Sequence, residues 1–122
     1  MSFMVEAKNQ MLDGITVDEV SLHYDDPGTT GANEISTDTD YERQSVTMKD
    51  ASDGERRNDG DITFNISGGE GDNSTVAWVG LWDSGEGTFV GKAKVTEESY
   101  GTDGTYTLLD DEGVTLALVD PE

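Results

Sequence analysis

Seven runs of five to eight residues, each bounded by Gly, Asp or a Pro-Gly turn, constrain this chain more than any other feature. Apolar residues alternate with polar ones along most of them. Alternation with period two puts every second side chain on one face, so such a run buries its apolar face as a strand. In Val17–Tyr24, the residues Val20, Leu22 and Tyr24 share a face. In Tyr41–Met48, Gln44, Val46 and Met48 lie together, opposite Tyr41, Arg43 and Ser45. Asp61–Ile66 alternates Ile62, Phe64 and Ile66, whereas Thr75–Trp82 is apolar on both faces, the pattern of a strand covered on both sides. Thr88–Val95, Thr105–Leu109 and Val114–Val119 complete the set. Seven short strands predict an all-β fold, an antiparallel β-sandwich or a jelly-roll-like small barrel.

The connections carry the matching turn chemistry. Asp26-Pro27-Gly28, Asp53-Gly54, Asp59-Gly60 and Asp103-Gly104 are tight-turn sequences, while Gly68–Asp72 and Ser84–Gly87 read as loop tips. The stretch Asp25–Asp40 is long for a hairpin loop and is a candidate contact arm reaching a neighbour. One helix is expected, Ser2–Leu12, capped by Ser2, with Phe3, Ala7 and Met11 along one face and Gly14 ending it. The chain reads as one domain over residues 1–122, a helix in 1–14 and a β-sandwich in 15–122.

Charge narrows the function classes. Against 7 Lys and Arg stand 27 Asp and Glu, a net −20 at pH 7, with no Cys and 33% hydrophobic residues. Phosphate backbones need basic side chains to displace their counterions, so nucleic acid is not an expected partner. No apolar run approaches the ~20 residues of a membrane-crossing helix, and membrane insertion is not expected. Lack of cysteine removes disulfides and thiolate zinc sites. The acid load matches a surface built for brine, where a Debye length of ~3 Å at 1 M salt screens carboxylates from one another.

Catalytic constellations are sparse. His23 is the sole histidine, so a Ser-His-Asp arrangement would have to use it, and no nucleophile-elbow motif accompanies it. Paired carboxylates such as Asp25-Asp26, Glu97-Glu98 and Asp110-Asp111 follow from composition alone. No enzyme activity and no cofactor are expected. The one metal reading left open is a structural Ca²⁺ or Mg²⁺ ion at Asp38-Thr39-Asp40, Asp59-Gly60-Asp61 or Asp110–Gly113, none of which has EF-hand spacing. Asn65 and Asn73 head Asn-x-Ser/Thr tripeptides.

Three groups of residues stand out as sites. Glu34 and Arg43 flank the long loop, and a guanidinium fork can clamp a loop carboxylate through two bonds. Phe3, Met4, Met11 and Leu12 give the helix apolar surface, either for docking on symmetry mates or for covering its own sandwich. Trp78 is read as core, whereas Trp82 is a candidate for an assembly interface or a sugar-stacking platform.

Several stretches together carry a resemblance. They are Ala7–Gly14, Val20–Gly28 with its Ser-Leu-His-Tyr-Asp-Asp-Pro-Gly end, Gly31-Ala32-Asn33-Glu34, Tyr41–Thr47 and Val79–Asp83. In this order they resemble a family of small virion proteins of tailed phages, of the tail-fibre, minor structural or capsid-decoration type. The resemblance implies a non-enzymatic part of a virus particle, on the capsid surface as a turret or knob, or in the tail. It also implies a homo-oligomer, a trimer or pentamer, contacting other virion proteins such as the major capsid or tail proteins. The acid load adds a haloarchaeal host to that expectation. The other function carried forward is a carbohydrate- or receptor-binding module for host attachment.

Overall fold

The computed structural model describes residues 4–37 and 39–117. Among the described residues one helix, α1 (Val5–Asp13), precedes nine strands: β1 (Glu19–His23), β2 (Gln44–Ser45), β3 (Thr47–Met48), β4 (Glu55–Asp59), β5 (Ile62–Ile66), β6 (Thr75–Asp83), β7 (Thr88–Ser99), β8 (Gly104–Leu108) and β9 (Thr115–Ala117). All pairings are antiparallel, and they form a sheet in the order β2-β1-β6-β7, a sheet β3-β4-β9 and a two-stranded ladder β5-β8. One apolar core joins them: Val20 and Leu22 of β1, Ile62, Phe64 and Ile66 of β5, Val76, Val79 and Leu81 of β6, with Ile35, Tyr41, Val46, Leu108 and Val114. The fold is an all-β, sandwich-like arrangement of antiparallel sheets.

Alternation placed these strands correctly wherever it was clean. Ile62, Phe64 and Ile66 point inward, while Thr63 and Asn65 are exposed. β6 is buried on both faces along most of its length, as its unbroken apolar run requires. Tyr41–Met48 departs from the expectation, because Tyr41 and Val46 were assigned to opposite faces yet both enter the core. The segment breaks into two strands of two residues on different sheets, so parity does not carry across it. β4, Glu-Arg-Arg-Asn-Asp, was not expected: it has no apolar residue to alternate. Its hairpin turn was legible, since Asp53 and Gly54 both take positive φ (54° and 77°), the geometry of a primed two-residue turn. β7 runs four residues beyond the expected Val95, to Ser99. β9 covers Thr115–Ala117, Val114 of the expected Val114–Val119 strand lies just before it in the core, and Leu118 and Val119 lie outside the described residues.

The helix is shorter than expected and is held differently. It starts at Val5 after Met4, which makes no side-chain cap, and the expected cap Ser2 lies outside the described residues, as does Phe3. Leu12 is its only fully buried side chain. Polar contacts dock the rest: Gly54 N donates to Asn9 Oδ1 (2.9 Å) and Ala51 N to Asp13 Oδ1 (2.8 Å). Arg56 of β4 donates to the carbonyls of Leu12 (3.3 Å), Ile15 (2.9 Å) and Lys49 (2.8 Å). A guanidinium at a helix C-terminus satisfies orphan carbonyls and meets the negative end of the helix dipole. Among the described residues no helix is long and apolar enough to cross a membrane.

Candidate functional site

The outer face of the β2-β1-β6-β7 sheet carries the densest polar chemistry of the molecule, and the long loop after β1 roofs it. The register His23↔Trp78, Ser21↔Gly80 and Glu19↔Trp82 sets Ser21 and His23 of β1 beside Gly80 and Trp82 of β6. Their parity turns them away from the core that takes Val20 and Leu22. The loop then folds back over them. Tyr24 N donates to Asn33 O (3.0 Å), Ile35 N to Leu22 O (3.0 Å), and Ile35 plugs into the core. Inside the loop, Gly28 N donates to Asp26 Oδ1 (2.9 Å), Gly31 N and Ala32 N both donate to Pro27 O, and Asn33 takes φ 61° with its amide on Asp26 O (2.9 Å). Lys92 of β7 ties the tip down through Asp26 (2.7 Å). Residues 25–35, the first part of the expected Asp25–Asp40 contact arm, therefore lie over their own sheet, with Thr29 and Thr30 exposed at the tip.

Beneath this roof runs a continuous chain of hydrogen bonds. Ala32 O can only accept, so the 2.7 Å contact to His23 Nδ1 fixes the proton on that nitrogen. Nε2 is then bare and accepts the Ser21 hydroxyl proton at 2.7 Å, while Trp82 Nε1 donates to Ser21 Oγ at 2.8 Å. Burial lowers the His23 pKa, against the partial support of Ala32 O and Glu34, so the ring stays neutral. Gly80 is required here, because a Cβ would meet His23 Nε2 at 2.7 Å and Phe89 at 2.9 Å.

A second cluster seals the edge of the network. Arg43 grips Glu34 with two parallel bonds, Nε to Oε2 (3.0 Å) and Nη2 to Oε1 (2.8 Å), and Glu19 stands 3.7 Å away. Its guanidinium lies 3.9 Å from the centroid of the Trp82 ring, a stacked cation–π contact. Tyr41 donates to Glu34 Oε2 (2.6 Å) and accepts from Leu22 N (3.0 Å). Burial, and then the bond to Glu34, push the Tyr41 hydroxyl far above its ordinary range, so it acts as a permanent donor. Phe89 packs on Trp82 at 5.0 Å, and Gly31, with φ 80°, sits so close to that ring that any side chain would collide with it.

The structure thus brings Glu34 and Arg43 into one clamp and adds Tyr41 and Trp82 to it. It places the other candidates apart. Leu12 and Trp82, read as interface residues, are 1% and 9% exposed and present no surface; Met4 and Met11 are exposed at 70% and 42%. Trp82 is covered by Arg43, Gly31 and Phe89, so neither face is free to stack on a sugar. Ser21 and His23 have the spacing of a nucleophile and base, but both are fully buried and the Ser21 oxygen is already engaged by Trp82. The missed partner, Ser21, had a readable signal: it shares the non-core face of β1 with His23.

The Asp-rich turns serve as backbone acceptors. Asp110 Oδ1 accepts from Gly60 N (2.8 Å), Asp61 Oδ1 from Asp110 N (2.8 Å), and Lys49 lies 3.5 Å and 3.3 Å from Asp110 and Asp111. Asp110 is held below the usual carboxylate range, first by the Gly60 amide and then by Lys49. Asp38 lies outside the described residues. No cluster of three or more metal-ligating side chains occurs among the described residues. Asn65 is exposed on β5, while Asn73 Oδ1 accepts from Ser36 N (2.9 Å).

The architecture is therefore that of a small β domain whose densest polar chemistry is turned inward to hold a loop. Comparison with known proteins agrees with a structural role of that kind. No curated protein and no solved structure matches the chain. A family described as "Podophage GP4 fiber I protein gp80" matches residues 16–116, which is everything from the end of α1 to β9. The chain belongs to the podophage GP4 fiber I protein gp80 family.

Proposed function

We propose that this chain is a non-enzymatic building block of a phage fibre, working by repetition on a symmetric particle. Membership of a phage fibre family puts it among the structural proteins of the virion. The match across residues 16–116 carries the reading, and the Ser21–His23 pair supports it: the chain's one histidine is fully buried and hydrogen-bonded to the loop through Ala32 O. A small β domain of this kind acts through many equivalent contacts with copies of itself and with other virion proteins, on the capsid surface or in the tail. The net charge of −20 suits a particle that works in concentrated salt, the setting of a haloarchaeal host.

Mass spectrometry of purified particles tests the role: the chain is expected in many copies per virion, and its absence from particles would overturn the reading. Thermal melting against KCl tests the salt adaptation. The midpoint is expected to rise from dilute buffer to ~1 M KCl as carboxylate repulsion is screened, and a falling midpoint would refute it.

A further inference from the structure

The four-stranded sheet ends on one side in β2, two residues long, and on the other in β7, twelve residues long and paired only with β6 among the described residues. β7 is largely exposed and contains no proline. Its outer edge presents a row of backbone donors and acceptors, the template on which another strand adds. On its inward side Gly91 and Ala93 are small, and a cleft of about 210 Å³ lined by Val79, Leu81, Ala93 and Leu116 opens beneath the edge.

Charge says what fits there. Thr88–Thr96 holds Lys92 and Lys94 and no acid, in a chain with only 7 basic residues against 27 acidic ones. Glu97 and Glu98 follow at once. Lys94 and Glu98 form no ion pair among the described residues, Glu98 accepting only from the neutral Tyr100 hydroxyl, whereas Lys92 is held by Asp26. Two copies of β7 running antiparallel about a two-fold axis at Thr96 set Lys94 of one beside Glu98 of the other, residues of the same parity, twice per pair. Parallel strands would set Lys beside Lys. Contact through most other surfaces of a −20 chain brings carboxylate to carboxylate. We propose that β7 is a self-complementary contact strand, through which two copies of this chain pair edge to edge about a two-fold axis. The inference concerns solution behaviour and stands apart from the virion role. A two-fold pair also differs from the expected trimer or pentamer, which needs a head-to-tail contact.

Sedimentation of the full chain at micromolar concentration in ~1 M KCl, where the Debye length is ~3 Å, reads the state directly. A reversible dimer is expected, with slowed amide exchange across residues 88–99 as concentration rises. Lys94→Glu and Glu98→Lys should each weaken the dimer, by about tenfold or more once KCl is lowered from ~1 M toward ~0.15 M and the facing charges are less screened. Mixing the two variants should restore a 1:1 heterodimer, because the reversed charges again oppose. Circular dichroism identical to the parent confirms that each variant is folded. A monomer at every salt concentration, as lysines guarding an open edge would produce, overturns the proposal. So does a trimer or pentamer, or a dimer indifferent to both charge reversals.

Discussion

One sheet carries two contrasting regions. On its β1–β6 half the outer face is roofed by residues 25–35, and every buried side-chain donor and acceptor among the described residues has a partner. On its β7 half the strand is long, largely exposed and, among the described residues, unpaired along one edge. The first region uses its polar groups on itself and gains a fixed loop. The second leaves backbone groups to water and so stays available to another chain. Substitutions under the roof should therefore change stability, and substitutions on β7 should change association.

The largest expected effect is at the centre of the roof. Trp82→Ala removes a ring packed by Phe89, Arg43 and Gly31 and strips Ser21 of a donor. A loss of about 3–5 kcal/mol is expected by denaturant unfolding in high salt; a change below about 1 kcal/mol would show that the roof adds little. Arg43→Ala comes next. It leaves Glu34, itself 18% exposed, facing Tyr41 alone, and part-exposure of Arg43 limits the loss to about 1–3 kcal/mol. Arg43→Lys should recover only part of it, since an ammonium cannot make both parallel bonds. Equal stability of the lysine and parent proteins would reduce the clamp to a simple charge contact.

A smaller effect is pH-dependent. Burial holds the folded His23 pKa below its unfolded value of about 6.5. Between those two values the unfolded chain binds more protons, so stability rises with pH there. His23's contribution is complete above about pH 6.5 and is lost as pH falls toward the folded pKa, with a slope of at most about 1.4 kcal/mol per pH unit. Comparing melts of the parent and His23→Gln from about pH 7.5 to 5.5, above the main carboxylate range, isolates it. Parallel curves would mean that His23 does not titrate in this window. Lys94→Glu should change least: its unfolding free energy is expected within about 0.5 kcal/mol of the parent's, while its association changes. A large stability loss there would erase the contrast between the two halves.

The legibility of the fold followed the same physical line. β5 and β6 were readable because burial on one or both faces leaves a pattern in apolar residues. β4 was not, since it is held by its hairpin turn and by Arg56 reaching carbonyls of α1 and its neighbours, none of which leaves an apolar period. Glu34 and Arg43 could be paired from their positions at either side of the loop. The roof could not be seen, because nothing local says whether a sixteen-residue connection reaches outward or folds back. Trp82 shows the consequence: an indole next to Asp83 and a Ser-Gly loop tip looks like surface until a distant arginine and glycine cover it.

By itself the sequence determined the class of fold, the sites of the tight turns and the strongly acidic charge of the chain. These depend on local period, backbone preference and summed charge, all of which are properties of neighbours in the chain. Tertiary structure alone decided that His23 is buried between Ser21 and Ala32 O, that residues 25–35 fold back over their own sheet, and that β7 has an open edge among the described residues. Each of those outcomes depends on which distant segment takes up a hydrogen bond or a face, and such pairings are set only when the sheets assemble.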